Sequence, residues 1–270
     1  MMPSVERATV VTYGVTRNLG QALERLQAVA TRAGVELRFD ERPAAGDAAS
    51  DIAVALGGDG TMLRALTRFL ASGTPVIGVN FGRVGFLASI AGGELEPGLE
   101  RVFGGDYSVV LLPTLDVSLG ELRRSALNDA VVVSGVPGRI IEIAYSLDGE
   151  ELGTQPCDGL ICATPSGSTA YNLSNGGPVL VWGLDAAVIT LFAPHTLHAR
   201  PLVVGPSFEL AARNLTPDVE AVVLIDGRRV GSLAPGASVN VRFGNARSRL
   251  ATLPEQAFFA RYRRVFGAGR

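Results

Sequence analysis

The apolar run Ile52-Ala53-Val54-Ala55-Leu56 passes directly into Gly57-Gly58-Asp59-Gly60, and this junction limits the fold more than any other stretch of the chain. Five consecutive apolar residues leave no polar face, so a strand built from them must be covered on both sides, as strands of a helix-flanked parallel sheet are. Similar signals surround it. Ala8–Tyr13 predicts a strand and Asn18–Ala33 a helix, with Leu19, Leu23, Leu26 and Ala30 on one stripe and Gly34 as its stop. Glu36–Phe39 predicts a further strand, Thr61–Leu70 a helix and Val76–Val79 another strand. Strand–helix alternation of this kind implies an α/β domain with a doubly wound, mostly parallel sheet.

Near Pro113 the pattern changes. Leu115–Leu119, Ala130–Ser134, Ile140–Leu147, Gly159–Ala163, Ala187–Phe192, Ala221–Ile225 and Val239–Phe243 are β-rich, and turn signals such as Asp148-Gly149 and Asp226-Gly227 separate them. They predict an all-β, antiparallel, sandwich-like second domain. The expected organisation is an α/β domain over 1–113, a β-rich domain over 114–250 and a C-terminal segment over 251–270. In that segment the apolar and basic stretch Phe258–Phe266 is expected to pack back on the first domain.

Composition narrows the chemistry. With 47% hydrophobic and 19% charged residues the chain has a core to bury. All 24 basic residues are arginine, so lysine nucleophiles and Schiff bases are excluded, and bound phosphate must meet Arg, a metal or backbone N–H groups. A net charge of −2 gives no electrostatic footprint for nucleic acid. No apolar run approaches the roughly 20 residues that span a bilayer, and the opening residues lack a signal-peptide pattern. The expectation is a cytoplasmic protein without a membrane partner. Cys157 and Cys162, if on one extended stretch, face opposite ways at their odd separation and read as small core thiols. His195 and His198 alone do not make a zinc site, and no metal site held by protein ligands alone is expected.

Chemistry concentrates first at Leu56-Gly57-Gly58-Asp59-Gly60-Thr61. It follows a buried strand and opens a helix, where ligands of an open α/β sheet bind and where free N–H groups and the helix dipole suit phosphate. Gly57, Gly58, Gly60 and Thr61 therefore form the expected phosphate-donor site. A carboxylate repels phosphate, so Asp59 makes sense there as a Mg²⁺ ligand or as acceptor of a proton from an attacking hydroxyl. The plain alternative is a helix cap in a tight turn. Further on, Thr164-Pro165-Ser166-Gly167-Ser168 reads as a turn into a short helix, with hydroxyls and N–H groups able to bond a base or ribose, or as a Ser/Gly-rich surface loop. Tyr171 can stack on a flat ring. Asn128 offers donor and acceptor for an adenine edge, and Asp129 offers acceptors for two ribose hydroxyls.

The Gly-Gly-Asp-Gly-Thr segment resembles a superfamily of NAD kinases, diacylglycerol-type lipid kinases and 6-phosphofructokinases. The stretch Asp158–Ser174, Leu127-Asn128-Asp129, Asn80–Leu87 and Pro194–Leu202 resemble the NAD kinase family, in that family's order, over about Val54 to Asp226. The resemblance implies transfer of a terminal phosphoryl group, from ATP, another nucleoside triphosphate or polyphosphate, to the 2′-hydroxyl of the adenosine ribose of NAD. It also implies a divalent metal such as Mg²⁺, an active site between the two domains, and a homodimer or homotetramer with shared sites. Asp59 becomes the catalytic group. Asp59, Gly60, Arg64, Phe86, Asn128, Asp129, Arg139, Asp158, Thr169, Ala170, Tyr171 and Ser174 become NAD contacts, with Asp158 reaching the nicotinamide half of NAD bound by a neighbouring subunit.

Several of these keep a second reading. Arg64 faces the new 2′-phosphate or is an exposed helix residue, Phe86 lines the pocket or packs the core, and Arg139 contacts substrate or is solvated. Pro156 and Arg228 depart from common family residues and leave the choice between NAD and NADH open. A lipid kinase sharing the glycine motif and a non-catalytic dinucleotide sensor are the competing functions. The residues after Pro165 speak against the first, and Asp59 with Thr61 against the second.

Overall fold

A computed structural model describes residues 2–12, 19–40, 50–82, 85–196 and 198–267. Tyr13 and Asn18, the ends of two expected elements, lie outside these residues, as do Arg83, Val84 and Leu197 of the family-like motifs. The chain forms two compact units, Met1–Leu111 with Ser248–Arg270, and Leu112–Arg247.

In the first unit, β1 (Arg7–Thr12), α1 (Leu19–Ala33), β2 (Glu36–Asp40), β3 (Ile52–Leu56), α2 (Asp59–Arg68), β4 (Val76–Asn80), β5 (Ile90–Ala91) and α3 (Leu95–Phe103) follow in order. The strands pair in parallel as β5-β4-β3-β1-β2, with Val54 level with Val10 on one side and Ile77 on the other. Every residue of β3 is buried, as its unbroken apolar run demands. Ala8, Val10, Ile52, Val54, Ile77 and Val79 alternate along the strands and share one core with Leu26 and Val29 of α1 and Leu99 and Val102 of α3. On the opposite face α2 lies close: a Cβ at Gly78 would meet Met62 Sδ at 2.4 Å. Helices on both faces make the sheet doubly wound.

Two differences from the sequence expectation have local causes. Gly58 takes an extended backbone as the N-cap, so α2 starts at Asp59 and not at Thr61. The helix α3 was hidden by Pro97-Gly98, which reads as a turn. Proline is tolerated in a first helical turn, and Gly98 is needed because Ile90 packs where its Cβ would be, 2.8 Å away.

The second unit is antiparallel. Its elements are β6 (Ser108–Leu119), β7 (Leu122–Ala126), β8 (Asp129–Ser134), β9 (Ile141–Leu147), β10 (Glu150–Cys157), β11 (Gly159–Ala163), α4 (Tyr171–Ser174), β12 (Ala187–Phe192), β13 (Leu202–Val204), β14 (Glu209–Asn214), β15 (Ala221–Ile225), β16 (Arg228–Leu233) and β17 (Ser238–Thr252), followed in the first unit by α5 (Phe258–Phe266). One layer runs β13-β12-β11-β8-β15-β16 and another β10-β9-β14-β17. Val132, Leu160 and Ile189 of the first layer share a core with Ile143, Leu210 and Val241 of the second, which is the packing of a sandwich. The chain enters this unit within β6 and leaves it within β17; Leu250, past that crossing and already in the first unit, pairs in parallel with Val76.

The cysteines need a correction of premise. The extended chain breaks at Asp158, so Cys157 and Cys162 end on different strands, and both enter the same core. Both are free thiols. Burial raises the titration of both, that of Cys157 to about 12, which keeps them unreactive. Among the described residues no helix is long and apolar enough to cross a membrane.

Candidate functional site

In the first unit the candidate residues are positioned by the end of β3. Gly57 has φ +153°, and a Cβ there would meet Thr61 Oγ1 at 2.3 Å. Only glycine lets the chain turn while the Thr61 side chain leans over it. The Gly57 amide donates to Val79 O at 2.9 Å and the Thr61 amide to Gly58 O at 2.9 Å, so both are committed. The amides of Asp59 and Gly60, in the first turn, are those the helical ladder leaves over.

Asp59 opens α2, and its carboxylate turns towards the segment after Gly85. Oδ2 accepts the Phe86 amide at 2.6 Å and Oδ1 the Leu87 amide at 3.0 Å. Gly85 makes room for it, since a Cβ there would stand 2.1 Å from Oδ1. The sequence offered no signal for this pairing beyond the Gly85-Phe86-Leu87 motif itself. Phe86 is buried and packs its ring 5.5 Å from Phe258 and 6.0 Å from Phe266. Arg64 is exposed on α2. About 100° per residue puts it roughly 140° round the helix from Asp59. At the carboxyl end of β4 a cleft of about 400 Å³ is lined by Gln21, Arg25, Asn80, Phe81, Gly82 and Gly92. Its Arg25 is held by Glu96, whose carboxyl the guanidinium draws down to about 2.

In the second unit the two family-like motifs meet. Asn128 Oδ1 accepts from Ser166 Oγ at 2.9 Å, Asn128 O from the Thr164 amide at 2.8 Å, and Leu127 O from Thr164 Oγ1 at 2.6 Å. A Cβ at Gly167 would strike Asn128 O at 2.0 Å. The glycine of the Ser-Gly-Ser turn thus serves close approach to the Asn-Asp pair, and the turn is buried and not a surface loop. It leads into a 3-10 turn at Gly167–Thr169 and then α4.

Asp226 was legible in sequence only as half of a turn signal. Its φ is +50°, and its carboxylate accepts the amides of Leu127, Asn128 and Asp129 at 2.7–3.3 Å, so it fixes the backbone of the pair. Asp129 is 4% exposed. Burial first, and the Asp226 charge second, push its carboxyl up to about 7. Burial also raises Asp226, against the pull of the three amides and of Arg228.

The remaining expected contacts are more dispersed. Thr169 Oγ1 is bonded to Ser166 O at 3.1 Å. Tyr171 is exposed, its ring 5.5 Å from Phe192, and Ala170 and Ser174 flank it at the ends of α4. Asp158 sits at the break between β10 and β11, its backbone bonded to Ser134 and Phe192. His195 is exposed, and its amide bonds Pro156 O at 2.8 Å. Arg139 is exposed and paired with Asp218 at 2.8 Å.

Comparison with known proteins gives a consistent match. Residues 10–107 match the ATP-NAD kinase N-terminal domain and residues 127–253 the ATP-NAD kinase C-terminal domain. The chain is 38% identical to an NAD kinase of Heliobacterium modesticaldum over 82% of its own length and 80% of the relative's. It is 37% identical to NAD kinase 2 of Streptomyces avermitilis over 94% and 87%. The crystal structure of an NAD kinase from Archaeoglobus fulgidus in complex with ATP superposes with a TM-score of 0.79 at 28% identity, covering 97% of each chain.

Proposed function

The chain belongs to the ATP-NAD kinase family, and from that premise we propose that it is a phosphotransferase moving the terminal phosphoryl group of ATP onto the 2′-hydroxyl of the adenosine ribose of NAD. The observation that carries the reading is Asp59, a carboxylate at the first turn of a helix that follows a buried parallel strand, fixed by two backbone amides. The 2′-oxygen attacks the terminal phosphorus in line, the bond to the leaving diphosphate breaks, and the hydroxyl proton passes to Asp59. The transition state of such transfers is loose, so orientation and charge neutralisation outweigh the base. The first-turn amides of α2 meet the donor phosphates. Asn128 and Asp129 bond the dinucleotide's adenine edge and ribose hydroxyls, and Tyr171 stacks on a ring.

Among the described residues no three His, Cys, Asp or Glu side chains gather to hold a metal. Of the described residues, Asp59 would be the carboxylate to hold a Mg²⁺ brought in with the donor. The cation supplies charge neutralisation when bound. A cytoplasmic homodimer or homotetramer, in which Asp158 serves a neighbour's nicotinamide half, belongs to the same reading.

The test is purified protein with Mg²⁺, NAD or NADH, and a panel of ATP, other nucleoside triphosphates and polyphosphate, read as NADP or NADPH formed. The reading expects product with ATP. Absence of product with every donor, from protein shown to be folded, sinks it.

A further inference from the structure

The last helix carries a buried arginine that no motif singled out. Arg261 of α5 is 0% exposed, the largest fully buried side chain among the described residues. Its fork is anchored within the first unit. Nε donates to Gln256 O at 2.6 Å, Nη1 to Phe86 O at 2.7 Å and Ala88 O at 2.9 Å, and Nη2 to Ser89 Oγ at 2.6 Å and Thr252 Oγ1 at 2.9 Å. A guanidinium has five N–H donors in a planar fork, and all three of its nitrogens take part in these bonds.

Two of them bear on Asp59. The carbonyl of Phe86 and the amide of Leu87 are the two ends of one peptide group. The guanidinium donates to its oxygen at 2.7 Å, and its N–H donates to Asp59 Oδ1 at 3.0 Å. One peptide thus links a buried cation to the carboxylate. A cation on the oxygen polarises the peptide and strengthens the bond its N–H makes. Because the peptide is planar, fixing its oxygen also fixes where the N–H points. The adjoining carbonyl of Ala88 is gripped by the same nitrogen, so the 86–88 backbone has little freedom to pull away from Asp59.

We propose that Arg261 is a positioning residue for the phosphoryl transfer, orienting Asp59 through the Phe86–Leu87 peptide. The proposal rests on the reading of Asp59 as the group that takes the hydroxyl proton. Electrostatics agree with the geometry: burial and the nearby Arg264 draw Arg261 down to about 10, and Asp59 is the charge that opposes them. The guanidinium is charged at neutral pH, and its planar fork suits a fixed donor better than an ammonium.

The test uses the full chain with saturating ATP, Mg²⁺ and NAD. Arg261→Lys keeps the charge and loses the fork. The expected result is a fall in kcat of about 10- to 100-fold, the scale of small misplacement at a reacting centre, with the Kd for NAD changed less than about twofold by the same criterion. The discriminating measurement is additivity with Asp59→Asn. If Arg261 acts through Asp59, Arg261→Lys costs nothing further in that background. An unchanged kcat, or the same fold-loss in both backgrounds, overturns the proposal. If Arg261→Lys does not fold, Ser89→Ala, which removes a single acceptor, is measured in the same two backgrounds and judged the same way. Should Asp59→Asn itself leave kcat intact, the reading of Asp59 fails first, and this outcome is separate from a neutral Arg261→Lys beside a crippled Asp59→Asn.

Discussion

Asp59 and Asp129 are the same residue type in opposite settings. Asp59 is half-buried, opens a helix where the dipole favours an anion, and gives each carboxylate oxygen a backbone amide. Asp129 opens a strand, is buried, and has Asp226 as a neighbouring charge. The neighbouring amides go to Asp226 instead, its own amide among them. One carboxylate is therefore aimed by backbone amides, while the other is pushed up to about 7 by burial and its charged neighbour. The contrast teaches that one fold can aim a carboxylate with backbone amides and bury another whose charge is costly unless something bonds it; under the proposed function the first takes the hydroxyl proton and the second meets the ribose hydroxyls.

The strongest break in this comparison is Asp59→Asn, which keeps the shape and removes the basic oxygen. Its kcat should fall on the order of 10²-fold or more, the scale of a positioned acid or base, with NAD affinity little changed. A mutant within a few-fold of wild-type turnover removes Asp59 from the chemistry. Next comes Asp129→Ala, expected to act on binding. Loss of hydrogen bonds to a charged acceptor should weaken NAD by about 1.5–3 kcal/mol, measured by calorimetry, while turnover at saturating NAD is largely kept. Unchanged NAD affinity in a folded variant contradicts the assignment.

Two glycines sharpen the same division. Gly85→Ala drives a methyl into the Asp59 carboxylate, and Gly167→Ala drives one into the Asn128 carbonyl. The first should lower kcat by about 10-fold, and the second should raise KM for NAD by a similar factor, as expected of small displacements. Steady-state kinetics in which both variants lose the same parameter would erase the distinction.

The smallest effect expected is on pH. The folded carboxyl of Asp129 lies near 7 against an ordinary 3.8, so the folded state holds this proton more tightly than the unfolded chain. Its contribution to stability is complete below about 4, and is lost as pH rises through about 7. Asp129→Asn should then gain melting temperature over the wild type progressively from pH 5 to pH 8. A protonated carboxyl also loses acceptor capacity, so NAD affinity of the wild type should weaken a few-fold between pH 8 and pH 6, and that of Asp129→Asn should stay level. Parallel pH curves for the two proteins would place the raised carboxyl elsewhere.

What the sequence by itself determined is what short-range pattern can encode. The apolar run of β3 required cover on both faces, and its five residues are all buried. Gly-Gly-Asp-Gly marked the turn, and β-rich runs such as Gly159–Ala163 and Ala221–Ile225 form strands with those bounds. Even there, capping shifted the start of α2 to Asp59, and Pro97-Gly98 concealed α3, because neighbours in space overrode local propensity.

Only the tertiary structure decided how the carboxylates are dressed. The amide on Asp59 comes from 27 residues away, the carboxylate on the Asn128 amide from 98 and the guanidinium on Phe86 from 175. Hydrogen bonds between distant loops leave no period in the chain, and a buried Arg261 looks in sequence like any basic residue on an amphipathic helix. Their partners exist only once the sheet has brought the ends of β3, β4 and α5 into hydrogen-bonding range, where directional bonds of about 3 Å select one arrangement.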